Sequence, residues 1–235
     1  KIIELAIKVV NFERSSGRIV TVDEIYESFN DPDEDISNEI MLLTGIDNEM
    51  VEGQKIDWER VDAILDNADL IIAHNAGFDR AFLDRYSSVS PKKIWACSVN
   101  DINWLEKGFS SAKQELLCYW HGFYFDAHRA MNDVDAMIHL VTHKSYGDHR
   151  PLLELIEASK KPLYIIFAEN FQYDPVKKDI VKGNKYRWNS KDKIWYKNVG
   201  LDELEREKEW LTVAIYDSVF KGRVEEINLN DKYKL

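Results

Sequence analysis

The chain has 235 residues, 31 Lys and Arg against 42 Asp and Glu, and a net charge of −11. Its 45% hydrophobic and 12% aromatic content can fill a sizeable core, which excludes intrinsic disorder, and no apolar run approaches the ~20 residues of a membrane-spanning helix, so no membrane is expected as a partner. Two cysteines, Cys97 and Cys118, exclude a disulfide scaffold or a cysteine-rich zinc site and fit a reduced, cytoplasmic compartment.

Residues 2–12 alternate and are rich in Ile and Val, so they read as a strand. Gly17 sits in a turn, and residues 18–29 form a second strand, which makes a hairpin. A loop around Pro32 precedes a helix near 36–43 that ends at Gly45. Asp57 caps a helix over 58–67. Leu70–Ala73 is a short, wholly apolar strand of the buried parallel type. A helix follows from Asn75 to about Tyr86, then a strand over Ile94–Cys97 and helices over 110–121 and 130–143. The order predicts an α/β domain over 1–145. A linker helix starting at Pro151 is expected within 146–161. A small C-terminal α/β module is expected over 162–235, with strands near 163–168, 186–189 and 194–197 and a charged helix over 202–219.

The charge is unevenly spread. Residues 1–144 hold 14 Lys and Arg against 26 Asp and Glu, whereas residues 160–197 hold 10 against 4. The chain therefore reads as an acidic body with a locally basic appendix.

Two aspartates fall on apolar helical stripes. Asp79 leads Phe82, Leu83 and Tyr86 at i, i+3, i+4 and i+7, and Asp133 leads Met137, Leu140 and Val141 at i, i+4, i+7 and i+8. A buried carboxylate needs compensation. A divalent cation such as Mg²⁺ or Mn²⁺ provides it, as does a helix N-terminus or an ion pair. His128 lies five residues before Asp133 and can take a proton from a metal-bound water.

His74-Asn75-Ala76-Gly77-Phe78-Asp79, with Phe82-Leu83 behind it, resembles the second motif of the DnaQ-like 3′–5′ exonucleases. His128-Arg129-Ala130-Met131-Asn132-Asp133 resembles their third motif in its histidine (DEDDh) form, and Leu43-Thr44-Gly45-Ile46 is similar to their helix-ending Thr-Gly-Ile. The resemblance covers residues 1–144 and includes the proofreading subunit of bacterial DNA polymerase III and its stand-alone relatives. It implies an RNase H-like mixed sheet flanked by helices, and two divalent cations, Mg²⁺ or Mn²⁺, held by four carboxylates. By that resemblance Asp79 and Asp133 are two of the four, His128 is the general base, and Asn75 and Phe78 contact nucleic acid, with an N-cap as the other role for Asn75. The implied reaction is hydrolysis at a nucleic-acid 3′ end, single-stranded DNA above all, releasing nucleoside monophosphates. A DNA polymerase or a second copy of the chain is the implied protein partner.

The family's first motif, Asp-x-Glu followed by Thr-Thr-Gly, has no counterpart here, and Glu4 does not match it. In the family that motif's strand lies mid-sheet, just before the position of residue 1. A missing upstream segment and an inactive 235-residue chain are therefore expected. The alternative is a non-catalytic nucleic-acid-binding or polymerase-interaction module with a degenerate exonuclease fold.

In the appendix, residues 182–197 interleave Tyr186, Trp188, Trp195 and Tyr196 with Lys182, Lys185, Arg187, Lys191, Lys193 and Lys197. On strands this pattern suits single-stranded nucleic acid, with Lys185, Arg187 and Trp188 as contacts. It equally suits a ribbon whose rings are core and whose lysines are solvated. His139 and His143 stand at i, i+4 without a visible third metal ligand.

Overall fold

The computed structural model describes residues 1–172 and 174–234. They form two compact units, one of Lys1–Ser159 with the last residues from Tyr233, the other of Lys160–Lys232.

The first unit opens with the expected antiparallel hairpin, β1 (Glu4–Phe12) and β2 (Ile19–Phe29). Gly17 turns it at φ +70°, where a Cβ would lie 3.1 Å from Arg150 Cβ and 3.2 Å from Leu153 Cγ. Three helices follow: α1 (Asn38–Thr44), α2 (Asn48–Val51) and α3 (Trp58–Asn67). Gly45 ends α1 in the left-handed conformation, and Asp57 caps α3 by accepting from Arg60 N–H at 3.0 Å. Strand β3 (Ile71–Ala73) pairs in parallel with β4 (Trp95–Cys97). Between them runs α4 (Ala76–Leu83), and after them come α5 (Gln114–Trp120), α6 (Ala130–Val141) and α7 (Pro151–Ser159).

Strand alternation sorts the helices into two layers. Ile71, Ala73, Trp95 and Cys97 face a core shared with Val61, Ile64 and Leu65 of α3 and Leu83 of α4. Leu70, Ile72 and Ala96 face the opposite core, with Leu117 of α5, Met137, Leu140 and Val141 of α6, and Leu152 and Leu155 of α7. Helix α7, expected as part of a linker, thus sits in the first unit's core. Its entry is held by Arg150, which donates to Ser16 O at 2.9 Å and Thr142 O at 3.1 Å. Both cysteines are buried free thiols.

The second unit runs β5 (Leu163–Ala168), α8 (Pro175–Gly183), β6 (Arg187–Asn189), β7 (Ile194–Gly200), α9 (Leu201–Leu211) and β8 (Arg223–Ile227), with a π-helical turn, Thr212–Tyr216, after α9. Its antiparallel sheet has the order β6-β7-β5-β8, a split β-α-β arrangement of the ferredoxin-like type. Helices α8 and α9 cover one face through Val181, Leu204 and Leu211, packed on Ile166, Ala168 and Val199. The charged helix expected over 202–219 is α-helical only to Leu211, and its continuation widens into the π form. Among the described residues no helix is long and apolar enough to cross a membrane.

Leu155 is fully buried. Leu155→Ala is expected to destabilise the first unit by about 2–5 kcal/mol, read as a lowered urea midpoint. A midpoint equal to that of the parent chain would mean that α7 does not belong to this core.

Candidate active site

Helices α4 and α6 each carry an aspartate at their fourth residue, Asp79 and Asp133. Both side chains are half-buried. On α4 the deepest positions are Ala76, Arg80 and Leu83, so the buried stripe is rotated one residue from the expected one and Asp79 stands at its edge. Arg80 is the surprise within that stripe. It is wholly enclosed, paired with Asp84 at 3.1 Å, bonded to Pro91 O at 3.2 Å and stacked over Trp95. On α6 the expected stripe holds: Met137, Leu140 and Val141 are buried behind Asp133.

Burial, and after it the charge of Asp133, push the Asp79 carboxyl up to about 7 against the pull of its own backbone N–H. Asp133 is also raised, mainly by burial and then by Glu4 and Glu115, while the His128 N–H, 3.4 Å from its Oδ1, and the His128 ring lower it. Burial is thus the leading cause of both shifts, and His128 stands beside Asp133. The His128 backbone is left-handed, φ +69°, and its half-exposed ring lies 3.8 Å from Glu115 Oε1 through Nε2. Gln114 donates to the Asp133 carbonyl at 2.7 Å.

Asn75 occupies the N-cap position of α4 with φ +65° and makes no side-chain cap bond, so its amide is not used as a cap. Its carbonyl accepts from Phe78 N–H at 2.8 Å. Phe78 is 62% exposed and leans on Phe82. His74, just before them, pairs with Ser98 Oγ at 2.7 Å, and burial lowers its pKa.

Sequence reasoning passed over Glu4. Its carboxylate is almost wholly buried at the start of β1, accepts from Arg129 at 2.8 and 3.1 Å, and accepts the Ala130 N–H at 2.7 Å. It thus caps α6 from another strand, 126 residues away in sequence. Lys8, two turns of alternation along the same face of β1, pairs with Asp135 of α6. Local signals could not find this role, because alternation puts Glu4 in phase with Lys8 and opposite Leu5, Ile7 and Val9, which pack into the core.

Residues 1–141 match the family described as Exonuclease (RNase_T). The chain belongs to that family. Over 89 residues it is 42% identical to a DNA polymerase III PolC-type from Halalkalibacterium halodurans, a match that takes in 36% of this chain and 6% of that protein. The chain thus spans a small fraction of that relative's length. Among solved structures, this exonuclease-family chain is similar to Exonuclease X in complex with 5′ overhanging duplex DNA, with 22% identity, a TM-score of 0.43, and coverage of 63% of this chain and 90% of that one. It is also similar to the 3′-exonuclease in a structure of 3′-end specific recognition of histone mRNA stem-loop, with 12% identity, a TM-score of 0.44, and coverage of 63% and 84%.

As for metal, Asp79 and Asp133 present hard oxygen donors of the kind Mg²⁺ and Mn²⁺ take, and their mutual repulsion is the state a cation would relieve. Among the described residues no three His, Cys, Asp or Glu side chains cluster closely enough to hold an ion. The same statement covers His139 and His143, which pack with Phe123 in an aromatic cluster.

Because the Asp79 pKa is raised in the folded chain, its protonated form favours folding: that contribution is full below about pH 4 and is lost as pH rises through about 7. In EDTA, stability should fall over this window, and Asp79→Asn should flatten the dependence and raise the melting temperature at pH 8. An unchanged pH profile in the variant would remove Asp79 as its source. Glu4→Gln should cost roughly 1–3 kcal/mol, since it strands the partly exposed Arg129 and weakens the cap, and a melting temperature equal to the parent's would contradict the clamp.

Proposed function

We propose that the first unit is the catalytic domain of a divalent-metal-dependent 3′–5′ exonuclease that hydrolyses the terminal phosphodiester of a nucleic-acid 3′ end, DNA in preference to RNA, and releases nucleoside monophosphates. The observation that carries this reading is the pair of half-buried aspartates at the fourth residue of two helices, Asp79 and Asp133, with His128 in the turn before the second. Asp79 and Asp133 would hold the metal. Bound Mg²⁺ or Mn²⁺ supplies a lowered pKa for the attacking water and charge stabilisation for the leaving 3′-oxygen.

His128 would take the proton from that water on its imidazole, and Glu115, 3.8 Å from Nε2, would stabilise the imidazolium. The exposed ring of Phe78 next to Asp79 offers a surface for the terminal base, and the uncommitted amide of Asn75 can reach the same end of the strand. Two further carboxylates would come from a strand lying between β1 and β3. This part of the reading is supported by the divided sheet of the first unit: β1 is bonded to β2, β3 to β4, and the two pairs are not bonded to each other although they share a core. Likeness to a PolC-type polymerase supports a polymerase as partner over a second copy of the chain, and the two free thiols support a cytoplasmic setting.

A second reading, a non-catalytic module on the same fold, is favoured by one observation: among the described residues no three His, Cys, Asp or Glu side chains are grouped so as to hold a metal ion. The two separate in an assay on 5′-labelled single-stranded DNA with the full natural protein in Mg²⁺, Mn²⁺ or EDTA. Stepwise shortening from the 3′ end, abolished by EDTA, supports the exonuclease; DNA bound but uncut in every condition supports the module. His128→Ala is expected to keep DNA binding in EDTA and to lower the rate by ~10²–10⁴-fold. A rate within a few-fold of the parent's would remove His128 from the base role.

A further inference from the structure

The sheet of the second unit has one face covered by helices and one without them. Register assigns side chains to the uncovered face. Arg187 of β6 is paired with Tyr196 of β7, Tyr196 with Phe167 of β5, and Phe167 with Arg223 of β8. Phe167 alternates with the buried Ile166 and Ala168, so this whole row points away from the helices. Two aromatic residues therefore face the same way on the central strands, their Cβ atoms about 5 Å apart, with an arginine at each end of the row. The Arg223 guanidinium lies over the Phe167 ring at 3.9 Å and is balanced by Glu225 and Glu169. Arg187 is exposed and has no carboxylate partner among the described residues, and the same is true of Lys185, Lys191 and Lys193 around the β6–β7 hairpin.

The covered side holds a run of glutamates. Glu203, Glu205, Glu207 and Glu209 all lie on α9, on the covered side. Lys197, on the covered face of β7, is consumed by Glu207 at 2.7 Å. Trp188 and Trp195 contact each other on that face too, and Tyr186 is core. The rings and bases that interleave in the sequence are thus divided between two faces, and only the uncovered one combines rings with unpaired cations.

We propose that this uncovered face binds single-stranded nucleic acid, with bases stacked on Tyr196 and on the Phe167–Arg223 pair and phosphates along the β6–β7 hairpin at Arg187, Lys185, Lys191 and Lys193. Four-stranded sheets that stack two or three bases on aromatic side chains are an established solution to this task, and stacking tolerates any sequence because every base has a π face. The site lies outside the exonuclease-family region and does not depend on catalysis there.

The test is fluorescence anisotropy of labelled oligo-dT and oligo-rU with the full chain in EDTA, so that cleavage plays no part. Tyr196→Ala is expected to weaken binding by about ten-fold or more, and Tyr196→Phe to restore it, which a folding defect would not explain. Arg187→Glu is expected to weaken binding and to lower the log–log salt slope by about 0.7. Trp188→Ala is expected to leave binding within two-fold of the parent's. Comparable weakening of dT and rU binding assigns the face to either polymer, and weakening of one alone identifies its ligand. Absence of binding, binding indifferent to Tyr196→Ala at a retained melting temperature, or loss with Trp188→Ala in its place would each overturn the proposal. An acidic protein segment that displaces the oligonucleotide only in Tyr196-containing chains, with no nucleic-acid affinity near micromolar, would likewise overturn it in favour of a protein ligand.

Discussion

A carboxylate in half-buried surroundings needs compensation, and the first unit holds two, Asp79 and Asp133. Asp79 and Asp133 both sit in the opening turns of helices, where the exposed N–H groups and the helix dipole favour negative charge. That contribution is smaller than the cost of burial, since both groups remain shifted towards their protonated forms. Helix α6 is held against β1 by two ion pairs, Arg129 with Glu4 and Asp135 with Lys8. The first of these also closes an unsatisfied N–H at the helix start.

The hydrogen bond from the Ala130 N–H to the Glu4 carboxylate acts one residue after Arg129 and two after His128. It therefore fixes the turn in which His128 adopts its left-handed backbone, a conformation that persists only where surrounding contacts determine it. The two-layer arrangement explains why acids from different faces can approach at all. Strands β3 and β4 carry alternating side chains into two separate cores, so α4 and α6 come from opposite sides.

The second unit handles charge differently. Four glutamates lie on α9, which covers one sheet face, while Arg187, Tyr196 and Phe167 lie on the other, where Glu225 and Glu169 balance Arg223. The overall −11 is therefore a poor guide to what either unit meets in solution. Counting charge along the chain found the basic stretch but could not tell which side of the sheet each base would face.

Much of the architecture was legible without coordinates. The opening hairpin, the Asp57-capped helix, the short parallel strands and the strand at 163–168 follow from alternation, capping residues and apolar runs, which are local signals. Asp79, Asp133 and His128 could be picked out because a carboxylate on an apolar stripe conflicts with its surroundings, and two such conflicts in order, each within a recognisable motif, point to one site. What the local signals missed is equally specific. Helix α8 begins at an Asp-Pro pair that went unread, β8 alternates among charged residues too weakly to stand out, and α7 was read as a linker because nothing local says that Leu152 and Leu155 meet Ala96. The sequence alone determined the types of chemistry available, hard oxygen donors, an imidazole and stacking rings, because those are properties of residues and their spacing. The tertiary structure alone decided that Glu4 clamps α6, that Arg80 displaces Asp79 from the deepest position, and that Tyr196 and Phe167 rather than Trp188 share a face with Arg187. Each depends on partners brought together across strands and helices distant in sequence, and periodicity within a single element carries no information about them.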